Sequence, residues 1–181
     1  MPHAPLLGRE QLYQEAKLSV ANQTRPPDQF IIESDPHFTG TAATQNRALD
    51  RVTSDWIALL GDDDYFLPDH LETLEAHIRD DLDVIWPDFQ SIGANHNFCL
   101  GTDFNGDALM AGNYIPGGGS LIRTAAARMV GGWCRKDDPD WHQYEDWVMW
   151  KRLHIAGCRF KHIHDVTWAY RFHAGQTGGQ A

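Results

Sequence analysis

The chain has 181 residues, 42% of them hydrophobic, with seven tryptophans and a formal net charge of −10. This length and apolar content suit one globular domain with a sizeable core and exclude a disordered chain. The negative balance argues against non-specific binding to nucleic acid or to an anionic membrane, and no apolar run approaches the roughly 20 residues of a membrane span.

Residues 9–22 place Leu12, Tyr13, Ala16, Lys17 and Val20 on one mostly apolar helical stripe, which the "RPP" at 25–27 stops. "QFIIE" at 29–33 reads as a short strand and "SDPHFTG" as a loop carrying Asp35. "TAATQNRALDRV" at 41–52 reads as a helix capped by Thr41. "DWIALL" at 55–60 is a fully apolar strand of the kind covered on both faces. It runs straight into Asp62, Asp63 and Asp64, after which Pro68 opens a helix with Leu71, Leu74 and Ile78 on one face. Residues 83–93 read as a strand or hairpin and 102–119 as a Gly-rich irregular region. "SLIR" is a strand, "TAAARMV" a short helix ending at Gly131 and Gly132, and residues 144–157 a helix stopped by Gly157. "CRFKHI" and "VTWAYRFH" close the chain as strands, before the Gly-rich tail "HAGQTGGQA".

Strands alternating with helices predict an α/β fold around a mostly parallel sheet. In such sheets ligands bind beyond the carboxyl ends of the strands, where the three aspartates fall. Adjacent carboxylates repel one another and raise each other's pKa unless a cation is present. A compact set of hard oxygens suits Mg²⁺ or Mn²⁺ rather than zinc. On the triplet alone, a solvated turn capping the next helix is an equal reading. Glu145 and Asp146, opening the helix that carries Trp147 and Trp150, have two readings as well: favourable charges at a helix N-terminus, or a general base beside an anionic leaving group. His173 stands out among ten histidines for its place between an aromatic strand and the tail, and the nearby Arg171 is suited to neutralising phosphate. The three cysteines (Cys99, Cys134, Cys158) are odd in number and lack C-x-x-C spacing, and "MPHAPLLGRE" has no signal-peptide pattern. Together they predict reduced thiols and a cytoplasmic protein.

In order and separation, "LYQEAKLSVANQTRPPDQFIIESD", "GTAATQNRAL", "DWIALLGDDDYFLPDHLETL", "NYIPGGGSLIRTAAARMVGGW", "YEDWVMWKRLHIAGCRFKHI" and "YRFHAG" together resemble the inverting family 2 glycosyltransferases of the GT-A fold. The resemblance implies a single GT-A-type catalytic domain over residues 1–175, with a Rossmann-like nucleotide-binding half, and a flexible tail at 176–181. It implies a UDP-, dTDP- or GDP-linked sugar as donor, a glycan, lipid or protein as acceptor, and a bound Mn²⁺ or Mg²⁺. Asp62, Asp63, Asp64 and His173 are then the metal set. Pro2, Glu33, Asp35, Asn46, Asp62 and Arg171 are donor-binding, Asp146 is the base with Glu145 beside it, and Gly117, Gly118, Gly119, Ser120 and Trp147 border the acceptor.

Three departures from the family pattern stand out. Gly61 occupies the first aspartate position of the acidic motif, and Gln45 replaces an arginine before Asn46, with Arg47 one residue beyond Asn46 and about 100° further round the helix from it. The family's opening buried strand has only its terminal turn here, at Pro2. Its absence predicts a slot with unpaired backbone on two neighbours, in a chain incomplete at its N-terminus or filled there by another segment. These departures define the rival expectation, a non-catalytic nucleotide-sugar-binding module of the same fold. A metal phosphohydrolase is a weaker third, lacking a His/Asp-rich second site.

Overall fold

The computed structural model describes residues 1–5, 8–93, 97–140 and 143–173; the expected tail at 176–181 lies outside them. Strands and helices alternate along the chain: β1 (Pro2–His3), α1 (Glu10–Ala21), β2 (Glu33–Ser34), α2 (Thr41–Asp50), β3 (Trp56–Ala58), β4 (Tyr65–Phe66), α3 (His70–Glu75), β5 (Val84–Gly93), β6 (Asn97–Cys99), α4 (Gly106–Ala111), β7 (Leu121–Arg123), α5 (Thr124–Met129), α6 (Glu145–Ile155) and β8 (Phe160–Phe172).

The α/β class is as expected, and the sheet itself is mixed. Its strand order is β3-β7-β5-β8-β4, with β6 also against β5, while β1 and β2 form a separate parallel pair. Only the long β5–β8 contact in the large sheet is parallel; β7 enters antiparallel between β3 and β5, and β4 antiparallel beside β8. Two strands are expected at 158–163 and 166–173. They form one 13-residue strand interrupted by a bulge, because Pro87 on β5 has no N–H to continue the ladder.

The core follows from the apolar stripes. Val84, Ile85 and Trp86 of β5 are buried in succession, as suits a strand covered on both faces. On one side Val84 and Trp86 pack with Ile122, Met149, Trp150 and Leu153, so α6 lies against the sheet. On the other, Ile85 joins Leu74, Leu82, Leu121 and Ile163. A third cluster of Ala16, Val20, Leu60, Phe66 and Trp168 seats α1. At α2 the cap differs from expectation: Gly40, with φ 100, is the N-cap, and Thr41 is the first helical residue. The turn is organised from before the helix, because the Asp35 carboxylate accepts the N–H groups of Thr39 and Gly40.

Residues 29–32 form no ladder, so the expected strand at 29–33 shrinks to β2. Among the described residues β3 is paired along one edge only, with β7. A cavity of about 1160 Å³ is lined by Phe30 and Ile31 together with Trp56, Ile57, Ala58 and Leu60. The open edge of β3 thus borders this cavity. Its far end reaches the acidic residues that end the β3 segment.

Candidate active site

The chain leaves β3 through Leu59, Leu60 and Gly61 and enters residues 62–64 before β4 pairs with β8. The acidic loop is thus clamped between two strands of the sheet. Gly61 leaves these carboxylates room: a Cβ there would lie 2.8 Å from Asp63 Oδ1 and 3.3 Å from Asp64 Oδ2. An aspartate in its place would crowd the other two.

The three carboxylates have different partners. Asp62 is buried; its Oδ2 lies 2.9 Å from His3 Nδ1 and accepts the Ala4 N–H, and its Oδ1 is 2.9 Å from the Arg9 guanidinium. Asp63 Oδ2 also pairs with Arg9, and lies 3.1 Å from His173 Nε2. Asp64 Oδ1 accepts the Arg171 N–H at 2.8 Å. Burial first, and the Asp63 charge next, push the Asp64 carboxyl well above the usual carboxylate range. Arg9 is the residue that sequence reading missed. Its fork spans Asp62 and Asp63 with 9% of its side chain exposed, so a cation from the segment before α1 already offsets the acidic edge. Its partners lie 53 and 54 residues away, and nothing local announces the contact.

A cleft of about 350 Å³ gathers Pro2, His3, Arg9, Asp35, Asp62 and Asp63, with Glu145 and Gly61 also on its wall. Burial alone would raise Asp35, but hydrogen bonds from Thr39 and Gly40 outweigh it and hold the carboxyl below its usual value. The larger cavity shares Pro2, Gly61 and Glu145 with this cleft and adds Asp64, Gly117, Gly118 and Asp146, so the two spaces adjoin.

Asp146, in the first turn of α6, accepts hydrogen bonds from Asn113 Nδ2 at 3.1 Å and the Trp147 N–H at 2.7 Å. Burial raises its pKa against those bonds and one from the Gly117 backbone. Burial likewise raises Glu145, with the Asp146 charge adding to it. The glycine run faces this corner closely. A Cβ on Gly117 would lie 3.0 Å from Asp146 Cβ, and one on Gly119 2.3 Å from Trp168 Nε1.

Other expected site residues are held by structural contacts. Asn46 spends both ends of its amide on the Trp133 backbone and lines neither cavity. Glu33 pairs with Arg47 at 3.0 Å and Arg51 at 2.7 Å, so Arg47 is engaged there. Arg171 bonds the Asp63 carbonyl and Glu15. Ser120 donates to the Pro116 carbonyl, and Trp147 Nε1 donates to the Leu109 carbonyl.

The profile of glycosyl transferase family 2 matches residues 13–171. The chain belongs to that family. No curated relative matches the sequence. Among solved structures, S. aureus TarS 1-349 in complex with UDP-GlcNAc superposes with a TM-score of 0.75 at 14% identity, covering 97% of this chain and 58% of that one. TarS 1-349 in complex with UDP gives 0.71 at 14% identity, over 94% and 59%. A further S. aureus TarS structure gives 0.70 at 14%, over 94% and 36%. At that identity the likeness shows a shared fold, and the chain spans about three fifths of the TarS 1-349 structures. Among the described residues no helix is long and apolar enough to cross a membrane.

Proposed function

We propose that this family member transfers a sugar from a nucleoside diphosphate-sugar to an acceptor hydroxyl, with inversion at the anomeric carbon. The observation that carries the reading is the meeting of two chemistries. One cavity wall bears Asp146, raised by burial, together with Asp64, and that cavity adjoins the cleft formed by Asp35, Asp62 and Asp63. The TarS structures in complex with UDP-GlcNAc and UDP support a uridine nucleotide as the first donor to try.

In this reading Asp146 takes the acceptor hydroxyl proton, the acceptor oxygen bonds to the anomeric carbon, and the bond to the diphosphate breaks with its electron pair. A carboxylate with a raised pKa is a stronger base, and Asn113 and the Trp147 N–H fix its direction. Asp63 and His173, 3.1 Å apart, are a donor pair that fits a divalent Mn²⁺ or Mg²⁺ ion. Asp62 fits less well, since both its oxygens are already engaged by His3, Ala4 and Arg9. When bound, such an ion supplies countercharge for the departing diphosphate. Arg9 supplies positive charge on the same edge.

A second reading, a nucleotide-sugar-binding module without turnover, is favoured by one observation: Arg9 already pairs with both aspartates where the metal would sit. Transfer and donor-hydrolysis assays over UDP-, dTDP- and GDP-sugars with Mn²⁺ separate the two. The enzyme reading expects turnover that falls about 100-fold or more in Asp146→Asn. Nucleotide binding with no turnover, or turnover unchanged in that variant, overturns it.

A further inference from the structure

A second group of metal-type ligands lies at the bulge in β8, well away from the acidic loop. Pro87 pairs with Ile163, and the next residue of β5, Asp88, pairs with Val166, so His164 and Asp165 are extra residues on β8. Residues two apart on a strand point to the same face. His162 and His164 are such a pair, and their rings stand 4.5 Å apart, edge to face. Asp88 is brought to the same place from β5. One donor atom from each of Asp88, His162 and His164 lies within 4.8 Å of the others.

Two further observations point to a ligand. Asp88 and His162 are both buried, and each keeps a buried polar atom, Oδ2 and Nδ1, with no hydrogen-bond partner among the described residues. Their other atoms are tied: His162 Nε2 lies 2.8 Å from Asp88 Oδ1, which also accepts the Gly101 N–H. Trp86 stacks on the His162 ring at 5.2 Å, so the buried half is fixed in place. The other half is open to solvent. His164 is exposed, with its Nε2 3.7 Å from the exposed carboxylate of Asp103. A carboxylate behind a histidine is the usual outer support of a metal ligand.

We propose that Asp88, His162 and His164 bind one first-row transition-metal dication of the zinc type. It would clamp β5 to the bulge of β8 and, through Gly101 and Asp103, to the following loop. Two imidazoles and one carboxylate suit Zn²⁺ or Co²⁺ rather than Mg²⁺ or Ca²⁺, and leave the fourth position to water. Ligands about 2.1 Å from a tetrahedral ion stand roughly 3.4 Å apart, so the widest pair of the group, within 4.8 Å, closes by at most about 1.4 Å, with His164 as the side chain that moves. The site is separate from the acidic loop. Arg171, whose N–H binds Asp64, is seven residues beyond His164, roughly 20 Å along the strand.

The test is titration of the untagged chain with Co²⁺, followed by visible d–d absorption, and with Zn²⁺, followed by thermal unfolding. The wild type and Asp63→Ala should each take up one Co²⁺ at this site, displaced by Zn²⁺, and Zn²⁺ should raise the unfolding temperature of both. His164→Ala, a change at an exposed side chain, should bind at least tenfold more weakly and lose the Zn²⁺ shift. Co²⁺ binding within threefold of wild type in His164→Ala, loss of binding in Asp63→Ala, or no stoichiometric uptake would each overturn the assignment.

Discussion

Replacing Arg9 by methionine keeps the aliphatic stem and removes the charge that spans Asp62 and Asp63. Removing one partner of a buried ion pair costs about 3–5 kcal/mol, because the other charge is left uncompensated. Here the loss is smaller. Asp63 is 17% exposed, and His3 and His173 still stand beside the two carboxylates. We expect about 2–4 kcal/mol, which for a chain of this size lowers the unfolding temperature by roughly 5–12 °C. The same variant bears on metal binding. If Arg9 and a divalent ion compete for Asp63, Mn²⁺ should stabilise Arg9→Met more than wild type, and the gap between the two should narrow as Mn²⁺ rises. Thermal unfolding with and without Mn²⁺ measures both effects. A loss below about 0.5 kcal/mol, the usual range for surface substitutions, together with identical Mn²⁺ shifts in both proteins, would refute the view that Arg9 acts as the edge's resident cation.

The rate of transfer should rise with pH on a limb set by Asp146, displaced above the ordinary carboxylate range because burial raises that group; a limb at or below the usual aspartate value would count against Asp146 as the base. His70, buried beneath Phe66 and 2.8 Å from Thr167 Oγ1, is lowered to about 3 by desolvation. The unfolded chain therefore binds the extra proton between pH 6.5 and about 3, so stability is full above 6.5 and falls across that window by roughly 3–5 kcal/mol. Chemical denaturation of His70→Gln at several pH values should show a flatter slope there, and an unchanged slope would contradict the assignment. Gly119→Ala, at φ +71 and with its Cβ 2.3 Å from the Trp168 indole, should cost about 2–4 kcal/mol and shift Trp fluorescence; a neutral change would mean the loop has room that the geometry denies.

The parts of the site that were legible in the sequence are those written in local pattern. An apolar run ending in aspartates marks a strand followed by an acidic loop, and a carboxylate pair opening a Trp-bearing helix marks α6; α6 forms as read, while the expected strand at 55–60 shortens to the half-buried β3. What was not legible depends on long-range pairing. Arg9 and His3 reach the acidic loop across more than 50 residues, and Asp88 meets His162 across 74. The β8 bulge lies opposite Pro87 on a different strand, so the sequence around His162 and His164 does not announce it. Helical position at Asn46 does not announce its partner either. It sits on the helix expected to flank the diphosphate, yet its amide matches a backbone N–H and carbonyl at Trp133, and that contact consumes it. The mixed sheet was hidden for a related reason, since alternation of strands and helices does not reveal that β7 enters the sheet in the reverse direction.

The central claim is that the edge bearing Asp62 and Asp63 receives a nucleoside diphosphate within reach of Asp146. Calorimetric titration of UDP with Mn²⁺ into the 181-residue chain tests it most directly. The account predicts one-to-one binding that is retained in Asp146→Asn and lost in Asp63→Ala; no heat from the wild type, or undiminished binding in Asp63→Ala, would contradict it.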